Sequence, residues 1–405
     1  MRHQIILHHR LAWILVILLL GGCGAPAATR IVTRIPSATS SVLKTVTAMP
    51  TAPVLGTATE MPTEVFGLWM DVTESTIGET GSWTNKVELA DINSDRLVDL
   101  LFANGGDYER PGKPEFSQVF LNQGEGQSFK EVSQDVFGPI GMLVRVIKVR
   151  DVNNDGKPDI MVGTTYQTQS QLYLSEGTGK FTNVKSTHLP MINASVGDLE
   201  FGDVDNDSDL DIILADWGPD NPMTNEGGRT MLWLNDGTGQ FSDATDAQMP
   251  EVLVKFSWEL EFVDVDNDYD LDILVSCKQC RGSLLFENDG NGRYTDVTEG
   301  RLPQFKNNYD FEAMDVNNDL YLDLLTINDG IRSKEHIFLN NQQGGFTDAT
   351  EQLWPGEANS GCDDNMHVFL DFDSDGDADF LTASLTCEER LLVNDGSGNL
   401  QLVVD

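Results

Sequence analysis

Six copies of one acidic pattern constrain this chain more than any other feature of its sequence. Each copy has Asp at positions 1, 5 and 9 and Asp or Asn at position 3, and it leads into an apolar run. The spacings between successive copies are 60, 52, 61, 51 and 56 residues, and the copies begin at Asp91, Asp151, Asp203, Asp264, Asp315 and Asp371. A period in this range is typical of arrays and propellers, so the pattern predicts a repeat architecture.

A second signature follows each acidic loop. An apolar stretch leads into a turn rich in Asn and Gly, as in LWLNDGTGQF from Leu232. Because Gly and Asn supply the positive φ angles of tight hairpins, we expect each unit to read strand, acidic loop, strand, variable loop, strand, Gly turn, strand. Four antiparallel strands in about 40–50 residues are typical of a propeller blade.

We therefore predict an all-β chain, since no long stretch has a helical period with caps. Residues 65–405 allow about 57 residues for each of six units, which favours one β-propeller of six four-stranded antiparallel blades. Trp69–Thr73 matches Phe346–Thr350, the outer strand of a later unit, yet precedes the first acidic loop. This strand either completes the last blade, a role that Leu400–Val404 could also fill, or belongs to a seventh blade.

The N-terminus resembles an export signal. Residues 1–22 contain Arg2 and Arg10 and an apolar core, Leu11–Leu20, that is too short to span a bilayer. The next residues, Leu-Gly-Gly-Cys, resemble a bacterial lipobox, which implies lipidation of Cys23; an ordinary secretory signal is the alternative. Residues 23–64 carry nine Thr, five Pro and no aromatic residue, so we expect a disordered tether. These features predict a lipid-anchored protein at the bacterial cell envelope, facing outward.

The charge of the chain excludes one class of partner. The formal net charge is −39, and removing residues 1–22, which hold two Arg and no acid, makes it −41. Nucleic-acid binding requires a basic face, and adsorption to anionic lipid requires basic residues. We therefore expect no nucleic-acid partner, and membrane contact only through the lipid anchor.

Four cysteines remain once Cys23 is set aside. An even number in an exported chain predicts two disulfides, and four cysteines allow three pairings. We favour Cys277–Cys280 with Cys362–Cys387. The spacing of Cys277 and Cys280 also fits a redox motif, but it falls in a predicted hairpin loop rather than at a strand-to-helix junction.

The acidic loops predict cation sites. Oxygens at positions 1, 3, 5 and 9, with a backbone carbonyl at position 7, match the six to eight oxygen ligands of Ca²⁺ better than the octahedron of Mg²⁺. An EF-hand would need a Glu at position 12, where every copy has an apolar residue or Thr. We therefore expect calcium loops that join two strands.

These loops and Gly turns resemble the FG-GAP/VCBS-repeat β-propellers, which include the propeller of integrin α-subunits. The resemblance covers Trp69 to the C-terminus and implies up to six structural Ca²⁺ ions, one in the first hairpin loop of each blade. The implied ligands are Asp91, Asn93, Asp95 and Asp99; Asp151, Asn153, Asp155 and Asp159; Asp203, Asp205, Asp207 and Asp211; Asp264, Asp266, Asp268 and Asp272; Asp315, Asn317, Asp319 and Asp323; and Asp371, Asp373, Asp375 and Asp379.

The sequence departs from the family at position 6 of the loops, where the usual Gly survives as Gly156 and Gly376. Arg96, Ser208, Tyr269 and Leu320 replace it elsewhere, so a strained turn must be tolerated or reshaped. Six Ca²⁺ would change the mature charge from −41 to about −29. We expect stability to follow free calcium by mass action.

Two groups of residues are candidate ligand-binding positions. One group, three residues before an acidic loop, could ring the central channel: Glu88, Glu200, Glu261 and Glu312. Lys148 and Val368 interrupt this ring in the other two units. The second group consists of Tyr108 and Trp217 on the longest variable loops, where we expect exposed rings suited to sugar or protein contact.

No catalytic residues are assigned. The mature chain has three histidines, far apart in sequence, and no HExxH, GxSxG or phosphate-loop motif. The sequence therefore favours a calcium-stabilised, surface-anchored propeller for adhesion or ligand binding, with a surface glycan or protein as partner. A carbohydrate-active enzyme, such as a polysaccharide lyase or hydrolase, and an accessory scaffold of an envelope assembly are the alternatives.

Overall fold

The computed structural model describes residues 72–403 except 79, 125–127, 281, 329, 331, 332, 355 and 360. The predicted signal peptide, Cys23, the tether and most of the predicted strand Trp69–Thr73 lie outside the described residues. Within the described part, no helix is long and apolar enough to cross a membrane.

The described residues form six four-stranded antiparallel sheets, which are the predicted blades. Blades 1 and 2 comprise β1 (Thr84–Ala90), β2 (Asp99–Asn104), β3 (Gln118–Leu121) and β4 (Lys130–Glu131), and β5 (Val144–Arg150), β6 (Asp159–Thr164), β7 (Gln171–Gly177) and β8 (Lys180–Asn183). Blades 3 and 4 comprise β9 (Val196–Gly202), β10 (Asp211–Asp216), β11 (Thr230–Asn235) and β12 (Phe241–Asp243), and β13 (Leu260–Val263), β14 (Asp272–Val275), β15 (Leu284–Asn288) and β16 (Tyr294–Asp296). Blades 5 and 6 comprise β17 (Asn308–Met314), β18 (Asp323–Asn328), β19 (Ile337–Asn340) and β20 (Phe346–Asp348), and β21 (Asp364–Leu370), β22 (Asp379–Ser384), β23 (Arg390–Asn394) and β24 (Leu400–Leu402).

Short helical segments accompany the outer strands. They are α1 (Thr73–Thr76), α2 (Ser133–Phe137), α3 (Lys185–His188), α4 (Thr245–Gln248), α5 (Thr298–Arg301) and α6 (Thr350–Leu353), followed by a 3₁₀ turn at Gly356–Asn359. The segment α1 precedes the first blade, whereas the other five follow the fourth strand of a blade. The all-β expectation is confirmed, and the fourth strand of blade 6 is β24 from the C-terminal segment.

Each blade meanders, with its strands hydrogen-bonded in sequence order. The second strands β6, β10 and β18 are buried along their whole length. Such strands read as continuous apolar runs because both of their faces contact a neighbouring blade. The outer strands β12, β16 and β20 turn one aromatic residue inward and expose the following two residues.

The hydrophobic core lies between consecutive blades rather than within them. Five clusters of buried residues each combine side chains of two neighbouring blades, from blades 1 and 2 through blades 5 and 6. Position 2 of each acidic loop packs toward the following blade, which buries Ile92, Val152, Val204, Val265 and Val316. Phe372 has the same position in blade 6 and is 52% exposed, so no described blade covers that face.

Hydrogen bonds also join the acidic loops of blades 2 to 5 to the next blade. An Asn at the end of the third strand donates its side-chain amide to the position-2 carbonyl of the preceding acidic loop at 2.7–2.9 Å. The pairs are Asn235 with Val152, Asn288 with Val204, Asn340 with Val265, and Asn394 with Val316. The acidic loops are therefore part of the contact between blades.

Candidate metal centres and ligand-binding surface

Backbone hydrogen bonds curl the acidic loops of blades 1 to 5 around their first carboxylates. In blade 3 the N–H groups of Asp207 and Ser208 donate to Asp203 Oδ1 and Oδ2, both at 3.0 Å. The last carboxylate of the loop, Asp211, accepts the N–H of Val204 at 3.2 Å and that of Asn235 at 2.8 Å. This arrangement is an acidic loop closed by its own amides, with its side-chain oxygens gathered on the inside.

Carboxylate oxygens converge in three of these loops. In each of three triads, one oxygen per residue lies within 4.8 Å of the others. The triads are Asp203, Asp205 and Asp211; Asp264, Asp266 and Asp268; and Asp371, Asp373 and Asp379. Proximity of this kind between like charges favours a cation between them.

The three loops with Asn at position 3 have the same curl. The side-chain oxygens of Asn93, Asn153 and Asn317 each accept the N–H of the position-5 Asp at 3.0 Å. The first Asp of each of these loops accepts the same N–H and that of position 6, as in the loops of blades 3 and 4. The predicted ligand positions of blades 1 to 5 therefore share one local conformation, with one carboxylate fewer in the loops that have Asn.

The chemistry of the loops fits Ca²⁺. All side-chain donors are carboxylate or amide oxygens, and Asp205 Oδ1 and Asp266 Oδ1 are buried without a hydrogen-bond partner. Burial raises the pKa of Asp211 and of Asp272 to about 7, with a further contribution from neighbouring aspartates. A bound divalent ion would satisfy the two orphaned oxygens and offset this electrostatic cost. The residues that would hold it are those predicted above, and its presence stays a prediction.

The four loops without Gly at position 6 keep the left-handed backbone conformation that Gly156 has in blade 2. Arg96, Ser208, Tyr269 and Leu320 have φ between 72° and 76°, close to the 80° of Gly156. The side chains of Tyr269 and Leu320 are 87% and 84% exposed. Because these side chains point into solvent, the left-handed backbone creates strain but no clash.

The glutamates predicted to ring the channel occupy equivalent positions in their blades but do not form an open acidic ring. Glu88 is buried and accepts the N–H of Val149 and an N–H of Arg150, both at 3.2 Å. Glu200 forms an ion pair with Lys148, which holds the same position in the preceding blade. Cations from blade 2 therefore neutralise both residues. Glu261 and Glu312 have the matching register, opposite Leu274 and Leu325 on the second strand.

The expectation that Trp217 is exposed is wrong. Its ring is completely buried and stacks on Trp258 with centroids 5.6 Å apart, and its indole N–H donates to the Ser257 carbonyl. The guanidinium of Arg145 lies 4.8 Å from the Trp217 centroid and 4.7 Å from that of Trp258. Residues of three blades thus form one buried cation–π cluster, which stabilises Trp217 in its buried position.

Tyr108, in contrast, is 40% exposed as expected. Its ring contacts Trp83 on one side and Trp258 on the other, with both centroid distances at 6.1 Å. Trp83 is 46% exposed, and Tyr309 continues the row 4.7 Å beyond Trp258. Trp258 itself is buried beneath the row. We call Trp83, Tyr108, Trp258 and Tyr309 the aromatic surface.

A buried ion triad lies next to this surface. Lys86 Nζ donates to Glu259 at 2.7 Å and to Asp198, so that blades 1, 3 and 4 meet at one ammonium group. Sequence reasoning missed Lys86, Arg145, Trp83 and Trp258. One sequence feature weakly indicated the two tryptophans: a Ser-Trp pair precedes the inner strand in both blade 1 and blade 4.

Both predicted disulfides are present. Cys277 pairs with Cys280 and Cys362 with Cys387, with Cα–Cα distances of 5.5 and 5.9 Å. The first closes a small loop that carries Lys278, whose Nζ lies 4.5 Å from the Trp258 centroid and 4.7 Å from that of Tyr309. This disulfide loop therefore borders the aromatic surface.

Comparison with known proteins agrees with the repeat pattern. Residues 91–162 and 151–214 match the profile of the FG-GAP-like repeat family. No curated protein matches the sequence.

Solved structures are similar at low identity. An Agrocybe aegerita lectin that recognises non-reducing terminal N-acetylglucosamine is 15% identical, with a TM-score of 0.48 and 82% of each chain covered. A Lactobacillus plantarum protein is 12% identical, with a TM-score of 0.49 over 79% of this chain and 84% of that one. A rhamnogalacturonan lyase of Bacillus licheniformis is 14% identical, with a TM-score of 0.44 over 79% of this chain and 57% of that one.

The repeated acidic loops, the matching family profile and the six sequential antiparallel sheets agree with one another. Residues 91–214 therefore carry FG-GAP-like repeats, and the described residues fold as a β-propeller with six four-stranded blades.

Proposed function

We propose that this protein is a calcium-stabilised, lipid-anchored propeller that binds a glycan at the bacterial cell surface through its aromatic surface. The observation that carries the proposal is the pair Trp83 and Tyr108, two large rings that stay partly in solvent while the protein holds them in place. Exposed aromatic side chains on a rigid scaffold are common ligand contacts.

Hydrogen bonds fix Trp83 although nearly half of it is exposed. Its backbone N–H donates to Glu115 Oε2 at 2.8 Å, and its indole N–H donates to Asn85 Oδ1 at 3.1 Å. Asn85 is held in turn by its donation to the Val144 carbonyl at 2.8 Å and by Arg145. Such preorganisation lowers the entropic cost of binding a ligand. It therefore supports a role of Trp83 in ligand contact.

The surroundings of the rings favour a saccharide over a purely apolar ligand. Pyranose rings present C–H faces that stack on aromatic rings and hydroxyl groups that need polar partners. Asp107, Glu115 and Asn85 lie at the Trp83 end of the aromatic surface, and Lys278 lies at the Tyr309 end. A mixture of flat apolar area and polar groups is typical of specific small-ligand sites.

Calcium would act on the scaffold and not on the ligand. Trp83 precedes the first residue of β1, whereas Asp91 follows the last, so the aromatic surface and the acidic loops lie at opposite ends of the inner strands. Seven residues of strand separate the two ends by about 20 Å. Calcium bound in the loops would lock the blades that position the rings.

The proposed location depends on the sequence alone. Lipidation at Cys23 would anchor the chain, and the tether at residues 23–64 would hold the propeller away from the membrane. Expression in a bacterial host with the native signal, followed by detection of the acylated N-terminal peptide, tests this part independently of ligand binding.

Glycan-array screening followed by calorimetry with the Trp83→Ala and Tyr108→Ala variants tests the binding site. We expect at least about a fivefold loss of affinity from each change, because stacking on an aromatic ring contributes on the order of 1–3 kcal/mol. Tyr269→Ala, which removes an exposed ring from the acidic-loop end, is the matched control. Glycan binding that survives both changes would place the site elsewhere, and capture of a fixed protein partner indifferent to glycans would favour a scaffold.

A further inference from the structure

Two buried carboxyl groups meet where blade 5 contacts blade 6. Glu335 precedes β19, Asp364 begins β21, and both are 1% exposed. Arg390, the first residue of β23, is also buried and forms an ion pair with Asp364. We call Glu335 and Asp364 the acid pair; Arg390 is the cation that contacts it.

Each carboxyl group has one oxygen with a hydrogen-bond partner and one without. Glu335 Oε2 accepts the N–H of Asn328 at 2.8 Å, and Asp364 Oδ2 accepts from Arg390 Nη2. Glu335 Oε1 and Asp364 Oδ1 are buried and receive no N–H or hydroxyl donor. The Asp364 carboxyl adjoins that of Glu335, and, after burial, its charge is one cause of the raised pKa of Glu335. Two ionised carboxylates in that position would leave two buried acceptors facing each other with no donor between them.

Among the described residues, the other charged groups near this pair are engaged elsewhere. Lys334 reaches Glu351 at 3.3 Å, and Glu389 accepts the N–H of Ser384 at 2.9 Å. Asp363 accepts the N–H of Gly330 at 3.0 Å. His367, on the same strand as Asp364, is buried, and burial lowers its pKa to about 4, so it is neutral near pH 7.

We propose that Glu335 and Asp364 hold one proton between them, on Glu335 Oε1, which donates to Asp364 Oδ1 while Arg390 neutralises Asp364. With this proton both orphaned oxygens gain a partner, and the cluster of two acids and one arginine has no net charge. Burial, and then the charge of Asp364, raise the pKa of Glu335 well above its usual range, in agreement with this assignment.

The shared proton would make the contact between blades 5 and 6 sensitive to a rise in pH. Because the pKa of Glu335 is raised in the folded state, the stabilisation is complete below the pKa of the unfolded chain and is lost as the pH rises toward the folded value. Over that interval unfolding releases one proton, so the unfolding equilibrium constant increases roughly tenfold per pH unit from this group alone.

The Glu335→Gln variant tests the proposal because its amide carries a permanent hydrogen-bond donor in place of the proton. Denaturant unfolding of the wild type and the variant is measured from about pH 6 to 9 at one saturating calcium concentration. We expect the wild-type unfolding constant to rise relative to the variant by roughly tenfold per pH unit, up to the folded pKa of Glu335. Parallel pH profiles for the two proteins would overturn the proposal.

Glu389→Gln is the matched control, since Glu389 accepts the N–H of the last residue of β22 just as Glu335 accepts that of the last residue of β18. We expect this change to leave the pH profile of the wild type unaltered. In saturating calcium, whose ions would keep the loop aspartates ionised, the protonated-carboxyl infrared band of the wild type should lose intensity in Glu335→Gln. A band that is absent from the wild type, or unchanged in the variant, would also overturn the proposal. Stabilisation of the wild type by sodium, potassium or calcium that Glu335→Gln abolishes would show a cation in place of the proton.

Discussion

The side-chain amide of Asn288 lies 2.8 Å from the carbonyl oxygen of Val204, in the acidic loop of the preceding blade. The backbone N–H of Asn288 donates at 2.8 Å to Asp272, the last carboxylate of its own acidic loop. Asn288 therefore connects two candidate calcium loops, although it lies 84 residues from Val204 along the chain. Loop conformation in one blade is coupled to the position of the next blade through this contact.

Replacement of Asn288 by Ala should weaken that coupling. The change removes the bonds to Val204 and Leu271 and leaves buried carbonyl groups without donors, so we expect a loss of about 2–3 kcal/mol in the free energy of unfolding. Denaturant unfolding in calcium measures it. Asn291→Ala, at an exposed position in the same turn, should change stability by less than about 0.5 kcal/mol. Equal effects of the two substitutions would contradict the role assigned to Asn288.

Calcium should raise the stability of the protein. Ligand that binds only the folded state stabilises by about 2.7 kcal/mol per site at one hundred times the dissociation constant, so the melting temperature should fall in EDTA and recover with added Ca²⁺. A melting temperature indifferent to both would refute a structural role for the metal.

Individual loops can be tested by titration calorimetry. Asp205→Asn and Asp266→Asn replace carboxylates whose Oδ1 atoms are buried without a partner, so each should weaken or remove one calcium site. Glu251→Gln changes an exposed acid outside the loops by the same charge and should leave the stoichiometry intact. Identical calcium binding by all three variants would exclude Asp205 and Asp266 as ligands.

The left-handed backbone at Leu320 should make glycine acceptable there. Leu320 has φ of 72° and an exposed side chain, so Leu320→Gly relieves about 1–2 kcal/mol of strain against about 0.5–1 kcal/mol of added chain entropy. We expect the free energy of unfolding to stay level or rise slightly. Tyr321→Gly, one residue later in the same loop, should lower it by about 1 kcal/mol. Destabilisation by Leu320→Gly to the same extent would show that the leucine side chain makes a stabilising contact.

Acid should destabilise the protein through His367. Burial lowers its pKa in the folded state to about 4, and the imidazole contacts Thr382 Oγ1 at 2.8 Å and the Thr326 carbonyl at 3.3 Å. Because the folded pKa is depressed, the stabilisation is complete above the unfolded pKa of about 6.5 and is lost as the pH falls toward about 4.

The His367→Gln variant isolates this contribution from that of the buried aspartates, whose raised pKa values act in the opposite direction over the same interval. The wild type should lose on the order of 3 kcal/mol more than the variant between about pH 7 and 4, measured by denaturant unfolding. Superimposable losses in the two proteins would show that His367 is accessible to protons in the folded state.

Patterns that act over a few residues could be predicted from the sequence. The acidic loops, the Gly turns and the strand order follow from local spacing, and the turn at position 6 keeps its positive φ even where Arg96 or Tyr269 replaces Gly. Backbone hydrogen bonds within each loop fix this geometry independently of the other blades. The pairing of Cys277 with Cys280 could also be predicted, because both residues lie on one short loop.

Contacts between blades could not be predicted in this way. Trp217 becomes buried because Arg145 and Trp258 from other blades enclose it, and Lys86 meets Asp198 and Glu259 at separations of 112 and 173 residues. The sequence by itself therefore determined the number, the order and the local form of the blades. Only the tertiary structure decided which aromatic rings remain in solvent and which charges are neutralised, because both depend on side chains that the packing of one blade against another brings together.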